Sequence, residues 1–530
     1  MINYKTIQLD NNSIAVEAQY IDTGVLEYNN NPLIEALPPI NKRRDVGLLL
    51  YNYPKINIDI KNSSKELRIH SLQKIFDFFQ PFPEHMDLEK SISIVIRQGY
   101  IDRNPLSKTY TRDSKTIHES VRDKNFNLNN KLLRRQGQGF TILGLSGTGK
   151  SMGINTVISL YPQIIVHSKY KDQLFSAKQL VWLKLDCPSK GSIKDLCAFF
   201  FREVDRLLGS NFEKQYISPK YSAEVLKSAM VKVANACNLG MLIVDEIQNL
   251  NAAASGGYQS MLNFFTTLRN DLGLPVILIG TMKAYPLFGH ELSQARRANG
   301  LGSPLWTGAI EHDVWEVFID NLLKYQLTDE VYNDKEGIIS KLLYEESQGI
   351  IDIAMKIFVV CQMKSIVEGK PKHITPKLIK TVSREQFYQV KPMIEAIKSK
   401  NIEKMIKYDD IIPYNMVDYF KDELDKVKRE EDIKAIKEVE RKFKTKEEKS
   451  IKDSAKSKVL ELGYKNKEIN KYLNKIFIKN PELNENELAN LVIREIILNE
   501  TNTSKESSSK KDDNEKESKY QSMKQDDIKL

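Results

Sequence analysis

The sequence predicts an α/β fold in which a parallel sheet is flanked by helices, followed by a helical lid and a helical C-terminal region. Three observations carry that prediction. Between Phe140 and Thr281, short apolar runs alternate with stretches of helical periodicity, the pattern of parallel strands joined by crossover helices. The first run leads directly into a glycine-rich loop that opens a helix. After about Val314 the strand signals vanish and helical spacing dominates.

The runs at Thr141-Ile142-Leu143, 180–185, 241–244 and 276–279 are almost continuously apolar, as strands covered on both faces must be. Between the second and third, Ile193, Leu196, Cys197, Phe200, Val204, Leu207 and Leu208 recur at helical spacing, and Ser192 stands where a helix cap belongs. Punctuation and charge divide the rest. Residues 1–65, rich in Tyr and Pro, read as an extended partner-binding arm. The α/β core covers 66–313, the lid 314–400, and a basic helical region 401–500. From 501 to 530 the sequence is Ser, Lys, Asp, Glu and Gln with almost no large apolar residue, so it cannot offset the entropy of ordering and is expected to be a disordered tail.

Composition excludes several functions. The 530 residues imply about three structural units. No window approaches the ~18 apolar residues of a membrane span, and Met1-Ile2-Asn3-Tyr4-Lys5 opens no signal-peptide apolar region. Four cysteines without a C-x-x-C pair give neither a zinc site nor a disulfide framework. A cytoplasmic protein with reduced thiols, not engaged with a membrane, is expected. No H-E-x-x-H or G-x-S-x-G motif is present, which removes metallohydrolase and serine-hydrolase chemistry. The net charge of +9 is weak support for nucleic-acid binding, because the chain is rich in Lys, Asn and Ile throughout, as AT-rich codons alone would make it. Its unevenness is more informative: residues 441–480 hold 13 basic side chains against five acidic ones.

Gly144-Leu145-Ser146-Gly147-Thr148-Gly149-Lys150-Ser151 fits G-x-x-x-x-G-K-[ST] between a strand and a helix. In such a loop, glycines let backbone N–H groups turn inward around phosphate, and the helix N-terminus adds partial positive charge. Lys150 would reach the β and γ phosphates of ATP, and Ser151 would ligate Mg²⁺. A second motif lies 95 residues beyond Lys150: the apolar strand Leu242-Ile243-Val244 ends in Asp245-Glu246. Asp245 is placed to hold the metal through water and Glu246 to polarise an attacking water. That acid pair favours hydrolysis to ADP over small-molecule kinase chemistry. Thr281, ending the next strand, is read either as a γ-phosphate sensor or as a helix cap. Arg296 and Arg297, between a helix and a Gly-rich loop, are read either as reaching the γ-phosphate of a neighbouring subunit or as surface ion-pair residues.

With these motifs in place, the sequence resembles the TnsC family, AAA+ ATP-dependent regulators of target choice in TnsABCD-type transposons. The resemblance rests on Asp22-Thr23-Gly24, Asn31-Pro32-Leu33-Ile34-Glu35-Ala36-Leu37-Pro38-Pro39, Ile96-Arg97-Gln98-Gly99-Tyr100 and Arg103-Asn104-Pro105. It continues through Asp245-Glu246-Ile247-Gln248, Met261-Leu262-Asn263-Phe264-Phe265, Ile279-Gly280-Thr281, 293–300 and Ser347-Gln348-Gly349.

The resemblance implies a P-loop AAA+ core whose ATP-bound subunits form a ring or filament around double-stranded DNA and couple a target-selector protein to transposase and endonuclease subunits. Hydrolysis would then reset the assembly, and Arg296 or Arg297 would act as the arginine finger. It also implies sequence-nonspecific DNA contacts inside the ring, for which Lys190, Ser192 and Lys194 are candidates, with a solvated helix start as the alternative. Arg97 and Tyr100 either flank the adenine or pack in the core. Residues 441–480 are a docking surface, a DNA-binding extension or a solvated helix face. One departure is that Gly349 is followed by Ile350-Ile351-Asp352, with no nucleotide-sensing arginine; the nearest cation is Lys356. A helicase loader or replication initiator and a signalling NTPase scaffold are the competing readings.

Overall fold

The computed structural model describes residues 4–108, 137–252, 257–288, 305–306, 312–409 and 416–499. The chain forms two compact units, Met1–Glu423 and Leu424–Leu530.

The first unit contains two sheets. The larger uses β3 (Gly139–Gly144), β6 (Trp182–Asp186), β7 (Met241–Asp245), β8 (Val276–Gly280) and β9 (Leu305–Trp306) in the order β6-β7-β8-β3-β9, every pair parallel. Its two-residue alternation divides cleanly. Leu183, Leu185, Leu242, Val244, Val276 and Leu278 face one apolar cluster with the helices Ile193–Leu208, Ala223–Ala236 and Gly257–Leu272. Ile142, Met241, Ile243, Ile277 and Ile279 face another with the helices Pro83–Ile101 and Lys150–Ile158. All five residues of β7 and of β8 are buried, and each of their Val, Leu, Ile and Met side chains contributes roughly 1.5–3 kcal/mol. This covered sheet, with its helices, is the fold the apolar runs predict.

The smaller sheet is unanticipated. Its order is β1-β2-β4-β5, built from β1 (Thr6–Gln8), β2 (Ile14–Glu17), β4 (Ile164–Tyr170) and β5 (Gln173–Leu180). Strands β4 and β5 form a hairpin whose turn residues Lys171 and Asp172 have φ of 43° and 63°, the twin positive values of a type I′ turn.

The N-terminal region also departs from expectation. Residues 14–17 pair with β4, and Leu33, Ile34, Ala36 and Leu37 are completely buried in the same core as the parallel sheet. Asn31 caps the turn Pro32–Glu35 with its side chain and donates from Nδ2 to the Tyr100 carbonyl at 2.7 Å. This part of the expected arm is therefore an inner layer of the core.

Past the parallel sheet, the helices Ile338–Ser347, Ile351–Glu368 and Pro376–Gln386 form the lid. In the second unit, Val459 of the helix Met416–Glu461, Ile469, Leu473 and Phe477 of the helix Asn466–Lys479, and Leu488, Val492 and Ile496 close a small apolar core. Lys458 pairs with Glu485 beside it, at 2.6 Å. Residues 501–530, the expected disordered tail, lie outside the described residues. Among the described residues, no helix is long and apolar enough to cross a membrane. The four cysteines are buried and unpaired, and burial pushes the thiols of Cys187, Cys197 and Cys237 up to about 12.

Candidate nucleotide site

The carboxyl ends of β3, β7 and β8 open on one cavity of about 400 Å³, where open parallel sheets place their ligands. Ser146, Gly147, Gly149, Lys150 and Ser151 of the phosphate loop line it together with Asp245, Glu246, Gly280 and Thr281. Phe76 and, from the start of the lid helix Ile351–Glu368, Ile351, Asp352 and Met355 complete the wall. The two motifs read from the sequence thus meet in a single cleft with Thr281.

Local backbone chemistry builds the loop. Gly147 and Gly149 have φ of +77° and +85°, values that an L side chain adopts only under strain. Gly149 is the cap residue of the helix Lys150–Ile158. The loop is fastened from behind, where Thr148 Oγ1 donates to the Leu145 carbonyl at 2.8 Å and Trp306 Nε1 donates to the Thr148 carbonyl at 3.0 Å. Lys150 is buried, and its ammonium donates to the carbonyls of Gly144 and Leu145 at 2.9 and 2.6 Å. Burial lowers its pKa to about 8, against the opposing pull of Asp409, Asp245 and Glu246.

Asp245 ends the buried strand β7 and pairs with Lys184 of β6 at 2.9 Å. Lys184 also donates to Asn155 Oδ1 at 3.0 Å, so the carboxylate is held between neighbouring elements. Glu246 has a φ of 55°, a left-handed conformation costing about 1–3 kcal/mol and concentrated at functional sites. Burial and the neighbouring Asp245 raise its pKa. Gln248 bridges the chemistry, donating to Glu246 Oε2 and accepting from the Thr281 N–H at 3.1 Å.

Thr281 lines the cleft beside the phosphate loop. It occupies the cap position of the short helix Met282–Ala284, yet its side chain makes no cap hydrogen bond. Among the described residues, its buried Oγ1 has no hydrogen-bond partner.

Four sets of expected residues fall elsewhere or need placement. Arg97 and Tyr100 do not reach the cleft. Arg97 is 1 % exposed and donates to the Ser93 hydroxyl at 2.7 Å and to the Pro38 carbonyl. Tyr100 is fully buried and donates to the Asn238 carbonyl at 2.8 Å. Both are core residues, and with Asn31 and Pro38 they join two of the stretches that carry the family resemblance into one packed cluster. Lys190 and Lys194 are exposed, whereas Ser192 accepts from the Asp195 N–H at 3.2 Å as the cap of the helix Ile193–Leu208. Arg296 and Arg297 lie outside the described residues. Lys356 is paired with Asp352 at 2.7 Å, and the Asp352 N–H reaches the Gly147 carbonyl at 3.3 Å.

The residues present fit a magnesium nucleotide: an inward-turned glycine loop, a buried ammonium, a hydroxyl and a carboxylate for the metal at Ser151 and Asp245, and the orphaned Thr281 hydroxyl. Among the described residues, no group of three or more His, Cys, Asp or Glu side chains could hold a metal ion by itself. Sequence reasoning missed Lys184, the role of Gln248, Phe76 and Asp409. Of these, Lys184 left a signal, as a lone cation within Trp182-Leu183-Lys184-Leu185 on a covered strand.

Fold and cleft together define a P-loop nucleotide-binding core. Residues 134–288, which hold the phosphate loop, both acids and Thr281, match the AAA domain family, so the chain carries an AAA-type domain. No curated protein matches the sequence. Three solved structures are similar at low identity. The ORC2 protein of Aeropyrum pernix in ADPNP–ADP complexes is 11 % identical, covering 61 % of this chain and 87 % of that one at a TM-score of 0.33. A Walker-type ATPase of Pyrococcus abyssi is 16 % identical over 60 % and 88 %, TM-score 0.30. The Drosophila ORC bound to DNA is 11 % identical over 70 % and 82 %, TM-score 0.31. Likenesses at this level bear on neither activity nor partner.

Proposed function

We propose that the protein is an AAA+ ATPase used as a molecular switch: it assembles as a ring or filament on double-stranded DNA with ATP bound, and hydrolysis resets the assembly. The observation that carries this reading is the convergence of Lys150, Ser151, Asp245, Glu246 and Thr281 on one cleft. Lys150 and the loop N–H groups bind the phosphates, Ser151 and Asp245 hold the metal, and Thr281 reads the γ-phosphate. Glu246 takes the proton of the attacking water, and burial with the neighbouring Asp245 raises its pKa, which strengthens it as a base. Bound Mg²⁺ supplies charge neutralisation at the phosphates.

The finer assignment follows from the sequence resemblance to TnsC. On that reading the assembly links a target-selector protein to transposase and endonuclease subunits, with Arg296 or Arg297 completing the site of the neighbouring subunit. Exposed Lys190 and Lys194 contribute phosphate contacts that weaken with salt, and the basic segment 441–480 docks the transposase subunits. A helicase loader or initiator would share the cleft, and so would an NTPase scaffold.

The test is electron microscopy of the full chain with duplex DNA in ATP, a non-hydrolysable analogue and ADP. Rings or filaments formed on DNA of any sequence, only with a triphosphate, are expected. Particles indifferent to both DNA and nucleotide would leave a scaffold and remove the switch. Stimulation of strand transfer by cognate transposase subunits would separate the transposition role from that of a loader.

A further inference from the structure

The phosphate loop already holds an anion supplied by the chain itself. Asp409 follows the short helix Ile402–Tyr408 and is 1 % exposed. Its Oδ1 accepts from the N–H of Ser146 at 2.7 Å, across 263 residues of sequence, and its Oδ2 accepts from the N–H of Met282 at 2.5 Å. Ser146 is the third residue of the phosphate loop, and Met282 directly follows Thr281. The carboxylate therefore straddles the two elements that face a terminal phosphate, and its charge favours the protonated form of Lys150.

Physical chemistry makes this contact a competitor. Backbone N–H groups of an anion-binding loop make charge-assisted bonds to a carboxylate as to a phosphate. An N–H committed to Asp409 is not available to a nucleotide, and a carboxylate beside a polyphosphate in a partly desolvated cleft is repelled. The segment carrying Asp409 has little apolar burial of its own: no residue of Ile402–Tyr408 is buried, and Ile402 is half exposed. Within 402–409, Asp409 is the one buried residue.

We propose that Asp409 is an intramolecular competitor for the terminal phosphate, clipped to the phosphate loop before nucleotide arrives and displaced when it binds. Displacement frees the segment from which the chain runs on to the C-terminal unit at Leu424, so nucleotide state is communicated along the backbone to that region. The proposal rests on the nucleotide reading of the cleft, whose regulation it names.

The experiment uses the full chain and two measurements. The first is calorimetric affinity for Mg-ATP in wild type, Asp409→Asn and Asp409→Ala. Removing the competitor raises the fraction of binding-competent loop, so affinity is expected to tighten by about tenfold in Asp409→Ala and by less in Asp409→Asn, which keeps an acceptor oxygen. The second, made on unaltered protein so that misfolding of a variant cannot decide the matter, is hydrogen exchange of the peptide spanning 402–409 with and without Mg-ATP. Faster exchange on nucleotide addition is expected. If wild type binds Mg-ATP while 402–409 stays equally protected, or if both variants bind no more tightly than wild type, the competitor is overturned and the nucleotide site stands. If no form binds nucleotide while circular dichroism shows all of them folded, the nucleotide reading falls and takes the competitor with it.

Discussion

The two sheets of the core both bury polar side chains, but they satisfy them differently. Beneath the four-stranded sheet, His167 sits between the Tyr20 hydroxyl at 2.8 Å and Gln179 Oε1 at 2.9 Å, and Gln179 Nε2 donates to the Leu33 carbonyl at 2.9 Å. Tyr170 donates to Glu35 Oε2 at 2.9 Å, while Glu35 Oε1 accepts from the Asn30 N–H at 2.8 Å. Every one of these groups has its partner within the chain, and burial lowers His167 to about 4, leaving it neutral near pH 7. At the carboxyl ends of the parallel sheet the arrangement is incomplete. Among the described residues, Lys150 donates to the carbonyls of its own loop, Glu246 is held in a strained conformation, and Thr281 Oγ1 has no partner. Buried polar groups that are fully paired specify a fold; those left unpaired in a cleft are poised for a ligand.

Substitutions at the parallel sheet should therefore change function without unfolding the protein. The largest effect is expected for Glu246→Gln, which removes a carboxylate base and should lower ATP hydrolysis by about 10³-fold while leaving ATP and DNA binding intact. Assemblies of this variant should persist on DNA, which stopped-flow or single-molecule dissociation would register; release as fast as wild type would refute the role. Lys150→Ala comes next. It removes a charge-assisted contact to phosphate and should weaken ATP binding by about a hundredfold, abolishing assembly with it. Since burial of the ammonium outweighs the favourable pull of the nearby carboxylates, the thermal midpoint of the nucleotide-free protein should not fall. Retained ATP affinity in calorimetry would contradict the assignment, and a large drop in midpoint would erase the contrast between the sheets.

The reverse outcome is expected at the other sheet. His167→Ala orphans the Tyr20 hydroxyl and the Gln179 amide and should cost about 2 kcal/mol of stability in urea denaturation, with ATP affinity per folded molecule unchanged. A specific loss of nucleotide binding in a fully folded His167→Ala protein would mean that the two sheets are not separable.

The same contrast explains what was legible in the sequence. Strands β3, β6, β7 and β8 could be read because burial on two faces demands an apolar run, and the phosphate loop and Asp245-Glu246 because their residue types are fixed by chemistry. The run expected at 180–185 crosses from one sheet to the other, since β5 ends at Leu180 and β6 begins at Trp182, and apolarity alone does not mark a change of sheet. Strand β5 reads Gln-Leu-Phe-Ser-Ala-Lys-Gln-Leu and is half exposed, and its turn uses Lys171-Asp172 in place of the Asn-Gly that signals a hairpin. The Tyr- and Pro-rich start reads as an arm because its partners, Tyr100 and Arg97, are tens of residues away. The adenine and core readings of those two residues stay open in the sequence for the same reason. Asp409 lies farther still from the loop it contacts, and no local pattern announces it.

The smallest predicted effect tests the electrostatics of the cleft directly. Burial is the dominant influence on Lys150 and sets its pKa at about 8, below the ordinary 10.5 despite three nearby carboxylates. Phosphate binding favours the ammonium form, so above pH 8 the protein must take up a proton to bind ATP. Affinity should hold between pH 6.5 and 7.5 and fall by about tenfold between pH 7 and pH 9. The stability of the nucleotide-free protein should move the other way. Between pH 8 and 10.5 the unfolded chain binds more protons at this lysine than the native state, so this group's contribution to stability rises with pH across that window. Lys150→Arg keeps its charge throughout and should flatten the affinity profile. Parallel decline of affinity in wild type and Lys150→Arg would assign the titration to another group and leave the ammonium of Lys150 charged in the cleft.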